Sequence, residues 1–248
     1  MRNRDDEMGT PRGGDARQSA PRIPHPAFIV FEGPEGSGKT TQARAAAAEL
    51  AARGVALTLT REPGGTAIGE QVRGVLLNSE NRAMMPQTEA LLLFAARAQH
   101  VREVIEPALA RGEVVLCDRF AGATYAYQAY GRGLPLDELR RLQEFAAGAL
   151  VPALNVLLDL PAEVGLARRS AAGGVNRLDD AGLAFHRRVR DGYLELAAAE
   201  PDRWVVVDAT RPVDEVTRDV LTILGPRLGL SLTSAAGAAA PAGAGSAT

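Results

Sequence analysis

The chain has 248 residues, enough for one large α/β domain or two small ones, and 46% apolar against 23% charged residues is the balance of a globular protein with a substantial core. A formal net charge of −2 excludes a protein that coats nucleic acid through a basic excess, and a single cysteine, Cys117, excludes a disulfide framework and points to a reducing, cytoplasmic setting. No apolar run reaches the ~18 residues of a membrane helix, the N-terminus lacks the apolar core of a signal peptide, and three scattered histidines offer no zinc-ligand spacing.

Residues 1–26 mix Arg, Asp, Gly and Pro without periodicity and are expected to form a disordered extension. The body of the chain is expected to span 27–230 and to open with Phe28-Ile29-Val30-Phe31, a short buried strand. There follow Gly33-Pro34-Glu35-Gly36-Ser37-Gly38-Lys39-Thr40-Thr41 and a helix through 43–53. The spacing Gly33-x-x-x-x-Gly38-Lys39-Thr40 between strand and helix is a phosphate-binding loop. Glycines let backbone N–H groups converge on an anion, and the helix N-terminus adds its own donors and dipole. Lys39 is suited to the β- and γ-phosphates of a nucleotide and the Thr40 hydroxyl to Mg²⁺. Lys39 is also the only lysine; every other cationic side chain is arginine. A compact ammonium fits a tight phosphate cradle better than a planar guanidinium.

Beyond the loop, strands are expected at 55–60, 113–117, 154–160 and 203–208. Helices are expected at 67–77, 86–110, 121–130, 135–149, from 161, at 181–199 and at 213–224, before a disordered Ala/Gly-rich tail from 231. Strands that alternate with helices, and are apolar throughout, predict a five-stranded parallel sheet covered on both faces. Ligands of such a sheet collect at the carboxyl ends of its strands. Polar clusters stand there: Thr60-Arg61-Glu62-Pro63-Gly64-Gly65-Thr66 with Arg73, Asp118-Arg119-Phe120 with Tyr127 and Gln128, and Arg168, Arg169 and Arg177 around Gly173-Gly174. The long helix adds Glu89, Phe94 and Arg97. Arginines at three strand ends facing a phosphate loop imply a second anionic substrate, a phosphoryl acceptor beside ATP.

Several runs closely resemble the thymidylate kinase family over about residues 27–226: the phosphate loop with its flanking Glu32 and Gln42, Arg61-Glu62-Pro63-Gly64-Gly65-Thr66, the segment from Glu89 to Arg97, Asp118-Arg119-Phe120, Ala126-Tyr127-Gln128, Gly131-Arg132-Gly133 and Val207-Asp208-Ala209-Thr210. The resemblance implies a P-loop NTPase fold with a small lid at about 168–180, and a homodimer that uses Mg²⁺ to transfer the γ-phosphoryl group of ATP to dTMP. It assigns Glu35 to the deoxyribose and the reacting phosphates, and Glu62-Pro63 to the shape of the monophosphate pocket, a cis bond being one way to achieve it. Arg73 and Arg119 would hold the dTMP phosphate. Asp118 would place Mg²⁺ with Thr40. Arg97 and Gln128 would read the base beside Thr124 and Tyr127, and Arg168 with Asp208, Ala209 and Thr210 would serve ATP. The family often stacks an aromatic residue on thymine where this chain has Leu93, so Phe94, one position later, is the expected stacking residue. The phosphate loop carries no arginine between its outer glycines, so the lid is expected to supply the catalytic cation, with Arg177 as the candidate. The competing readings are another nucleoside-monophosphate or deoxynucleoside kinase, or an inactive nucleotide-binding module. A GTPase would need an Asn-Lys-x-Asp stretch, which a chain with one lysine, at 39, does not have.

Overall fold

The computed structural model describes residues 27–171, 173 and 181–232. The expected disorder of 1–26 and of the tail from 233, and most of the expected lid including Arg177, lie outside the described residues. The chain opens with β1 (Phe28–Glu32), α1 (Lys39–Ala52), β2 (Leu57–Arg61), α2 (Ala67–Leu77) and α3 (Pro86–His100). A π-helical turn (Val101–Ile105) joins α3 to α4 (Glu106–Ala110), and β3 (Val114–Asp118) follows. Then come α5 (Ala121–Thr124), a second π-helical stretch (Tyr125–Gly131), α6 (Leu136–Ala147), β4 (Leu154–Asp159), α7 (Ala162–Ala171), α8 (Leu183–Ala199), β5 (Trp204–Asp208) and α9 (Val213–Leu228).

The described strands make one parallel sheet in the order β2-β3-β1-β4-β5. Alternation along β1 supplies both faces. Ile29 and Phe31 enter a core with Leu50 of α1 and Val220 and Leu224 of α9, whereas Phe28 and Val30 pack with Val101, Ile105 and Phe120 on the other side. A third cluster joins Tyr127, Leu157, Val189, Tyr193 and Trp204. This two-sided burial is why β1 and β3 read as nearly unbroken apolar runs, whereas the edge strand β2, Leu-Thr-Leu-Thr-Arg, alternates and is only partly covered.

The helix expected over 86–110 is continuous in path but widens at 101–105, where the Glu106 N–H reaches back to the Val101 carbonyl. Pro107 has no N–H to donate, and its ring would crowd the carbonyl four residues earlier, so the turn opens. Ser231 and Leu232, expected to begin the disordered tail, belong to the packed body instead. Leu232 is buried in the α1–α9 core, and the Ser231 carbonyl accepts from Arg53 Nη1 at 2.7 Å. No described helix is long and apolar enough to cross a membrane.

Candidate active site

The order of strands reverses about β1, which has β3 on one side and β4 on the other, so the crevice at its carboxyl end is the natural ligand site. Register sets Asp118 beside both Phe31 and Arg61, bringing the ends of β1, β2 and β3 level. A cleft of about 860 Å³ opens there. Its walls include Glu35, Gly36, Gly38, Lys39, Thr40, Thr41, Glu62, Pro63, Arg73, Leu93, Arg97, Asp118, Arg119, Thr124, Tyr127, Gln128, Arg168 and Arg169.

At one end the loop after β1 wraps into α1. Gly36 and Gly38 take φ of 70° and 87°, which glycine adopts without a Cβ penalty. A Cβ on Gly36 would lie 2.1 Å from the Gly165 carbonyl, and one on Gly165 would lie 2.2 Å from the Glu35 carbonyl. The phosphate loop and the first turn of α7 therefore touch backbone to backbone. Lys39 Nζ donates to Pro34 O at 2.8 Å and Ser37 Oγ at 3.1 Å. Burial lowers the pKa of Lys39, and the Arg119 charge lowers it further, to about 8 against the opposing pull of Glu35, Asp118 and Glu32. Thr40 Oγ1 donates to Asp118 Oδ2. Among the described residues no group of three or more His, Cys, Asp or Glu could hold a metal; Thr40 and Asp118 set two oxygens side by side at the phosphate loop.

Arg119 occupies the centre. Its backbone takes φ 73°, rare outside glycine, held by its own N–H on Phe31 O at 2.9 Å. The guanidinium donates to Glu35 Oε1 at 2.8 Å, Tyr127 OH at 3.2 Å, Tyr193 OH at 3.1 Å and Gly33 O at 3.3 Å, and lies over the Tyr127 ring. Burial would raise the pKa of the Glu35 carboxyl, but Arg119, Lys39 and the Tyr127 hydroxyl outweigh it and hold the group at about 2. Glu35 is thus held as a carboxylate beside the Arg119 guanidinium and the Lys39 ammonium.

The other end is built on Arg97, which is 1% exposed. Its Nε donates to Glu62 at 2.7 Å, Nη1 to Gln143 at 2.7 Å, and Nη2 to Phe120 O at 3.0 Å and Thr124 Oγ1 at 2.8 Å. Gln128 lines the same end, donating Nε2 to Glu89 at 2.7 Å, while its buried Oε1 has no partner among the described residues. The Glu62-Pro63 peptide is cis, and Arg73 is braced by Nη1 on Pro63 O at 2.9 Å. Of the two adjacent candidates on α3, Leu93 faces the cleft. Phe94 is not brought to it: the ring packs among Ala90, Ala129 and Leu139 and lies against the Arg97 guanidinium. Asp208, Ala209 and Thr210 do not line the cleft themselves. Asp208 accepts from the Thr210 N–H and hydroxyl, and Arg168 ties the turn to α7 through Ala209 O at 2.7 Å and Thr210 O at 3.0 Å.

Three supporting residues were not legible as such. Glu32, fully buried, accepts from Phe120 N at 3.0 Å, Ala123 N at 3.1 Å and Tyr193 OH at 3.0 Å, so a residue of β1 caps α5. Burial pushes its carboxyl up in pKa against the pull of Arg119 and of these bonds. A charge closing an apolar strand was the available signal, the same one that marked Asp118-Arg119. His100 Nδ1 meets Glu62 at 3.0 Å and Nε2 meets Thr60 Oγ1 at 2.7 Å, beneath Arg97; nothing in the local sequence distinguishes it from a solvated helix histidine. Tyr193, far along the chain, joins Glu32 to Arg119.

The thymidylate kinase family model matches residues 31–220. The chain belongs to the thymidylate kinase family. It is 52% identical over 197 residues to the thymidylate kinase of Pseudomonas savastanoi pv. phaseolicola, covering 79% of this chain and 94% of that one. It is 51% identical over 203 residues to that of Caulobacter vibrioides, covering 82% and 98%. The thymidylate kinase of Thermomicrobium roseum is 56% identical over 190 residues, with 76% and 90% covered. The matched span of this thymidylate kinase family member includes β2 to β5 whole, the carboxyl end of β1 and every described wall of the cleft.

Proposed function

We propose that the chain is an ATP-dependent dTMP kinase, transferring the γ-phosphoryl group of ATP to dTMP to give ADP and dTDP. The observation that carries this reading is a single cleft with a phosphate cradle at one end and, at the other, Arg97 as donor beside Gln128, whose oxygen is a buried acceptor without a partner among the described residues. A base with a carbonyl edge next to an N–H satisfies both, and thymine has that edge. Names carried by the relatives support the same substrate.

Between the ends, Arg119 and Arg73, both on the cleft wall, would hold the acceptor phosphate. Lys39 and the loop N–H groups hold the β- and γ-phosphates. Glu35, kept ionised, can accept from a sugar hydroxyl while fixing Arg119. Thr40 and Asp118 offer hard oxygens next to the phosphates, the few protein ligands that Mg²⁺ takes, and the ion, when bound, would neutralise phosphate charge. Phosphoryl transfer then needs positioning and electrostatics from the protein more than covalent chemistry.

The same reading makes the protein cytoplasmic, where its one buried thiol stays reduced, and homodimeric. Ile68 and Val75 on α2, Leu91 on α3 and Phe145 on α6 are exposed apolar side chains on helices packed in the order α2, α3, α6, the kind of face a second copy would cover. Turnover with ATP and Mg²⁺ is to be measured with dTMP, dUMP, dCMP, AMP and GMP side by side. dTMP should be fastest, dUMP poorer by the ~1–3 kcal/mol a methyl group is worth in an apolar pocket, and purines poorer still. Faster turnover of AMP or GMP than of dTMP would overturn the assignment.

A further inference from the structure

We infer that Glu89, through Gln128, is a specificity-positioning residue that sets this enzyme to accept keto-pyrimidines and refuse cytosine; the inference rests on the dTMP kinase reading above. A glutamine amide is nearly symmetric in shape, so hydrogen bonding alone decides which way its oxygen points. Here the decision is made from behind. Glu89 is 2% exposed and accepts from Arg132 Nε and Nη2, at 3.3 Å each, so it is paired as a carboxylate. A carboxylate only accepts. Gln128 must therefore turn its NH₂ toward Glu89, as the 2.7 Å bond records, and its oxygen the other way.

Reversing the amide would set Oε1 against the Glu89 oxygens and forfeit a charge-assisted hydrogen bond in a buried site. The support behind Glu89 is itself fixed. Arg132 lies 4.7 Å from the Phe185 ring, and a Cβ on neighbouring Gly131 would approach that ring to 2.6 Å, so the segment packs closely. The Arg132 N–H bonds Tyr127 O at 2.9 Å, which closes the π-helical stretch carrying Gln128. The chain Arg132–Glu89–Gln128 thus turns the Gln128 oxygen away from Glu89 in a residue that lines the base end of the cleft; the oxygen itself is buried, and a base that reaches it meets an acceptor, not a donor. Thymine and uracil carry a proton on N3 and can donate to it. Cytosine has a lone pair there, so two acceptors would face each other and the buried Gln128 oxygen would stay unsatisfied.

The test is kcat/KM for dTMP and dCMP with saturating ATP, in the wild type, Glu89→Gln, Glu89→Asp and Gln128→Leu. A neutral amide at 89 can donate to the Gln128 oxygen and so permits either orientation. The dTMP-to-dCMP ratio should fall about tenfold or more in Glu89→Gln, and similarly in Gln128→Leu, which lacks the acceptor, while Glu89→Asp keeps most of the preference. ATP affinity and melting temperature serve as controls for folding. A Glu89→Gln protein that is folded yet keeps the wild-type ratio, or that loses both substrates in equal proportion, overturns the inference. Should Glu89→Gln not fold, Arg132→Gln decides: a several-fold drop in the ratio supports the relay and an unchanged ratio overturns it. A wild type that does not prefer dTMP over dCMP would instead overturn the reading on which the inference rests.

Discussion

Lys39 carries its charge at a cost. Burial and the neighbouring Arg119 bring its pKa down to about 8, so above that pH the folded chain holds this proton less tightly than an unfolded chain, whose lysine titrates near 10.5. The sign for folding follows: the penalty of the buried ammonium is present at neutral pH and is relieved as pH rises from about 8 toward 10.5, where the unfolded state binds more protons. Nucleotide reverses the sign locally. Phosphate charge beside Nζ raises its proton affinity, so ATP binding at pH 8.5 should take up a fraction of a proton, and affinity should decline as pH rises through 8. Calorimetry of ATP binding in two buffers of different ionisation enthalpy measures the uptake, and Lys39→Met should abolish it. Equal heats in both buffers would contradict the expectation. The role of Lys39 was readable because a phosphate loop is a contiguous requirement, met within eight residues. Glu32, His100 and Glu89 were not, because their partners stand 88, 38 and 39 residues away in sequence and only the fold supplies them.

At the scale of elements, periodicity located each described strand and long helix to within a few residues, while orientation about the axis was less visible. Leu93 and Phe94 differ by one position on α3, and only the packing of α3 against α6 turns the phenylalanine inward and the leucine to the cleft. The lid shows the same division. The family resemblance assigned Arg168 to ATP; in α7 it lines the cleft, and its guanidinium donates to the Ala209 and Thr210 carbonyls, so it also secures the turn after β5. Arg169 lines the cleft and acts electrostatically on Glu35. Arg177 lies outside the described residues and remains the proposed cation for the migrating phosphoryl group. Arg177→Ala should lower kcat by ~10²–10³ with dTMP affinity nearly unchanged, as loss of a transition-state contact requires. Arg168→Ala should act mainly on KM for ATP. Steady-state kinetics on both variants check this, and a collapse of kcat in Arg168→Ala alone would reverse the assignment.

At the scale of the whole molecule, the sheet, its two covered faces and the cleft at its carboxyl edge follow from alternation and strand order, but the outer surface does not. Phe145 is 89% exposed on α6, an expense in water unless another surface covers it. Phe145→Asp should convert a dimer to a monomer in sedimentation at micromolar concentration, leaving the sheet and cleft intact. A wild type that sediments as a monomer, or a variant that stays dimeric, would remove this face from consideration. One whole-chain property bears on how the protein can be interrogated. With a single lysine among 248 residues, a lysine-specific protease has one internal bond to cut, Lys39–Thr40, at the first residue of α1 and inside the phosphate cradle. Digestion of the intact chain by such a protease is therefore a clock for the opening of that cradle, insensitive to fraying anywhere else.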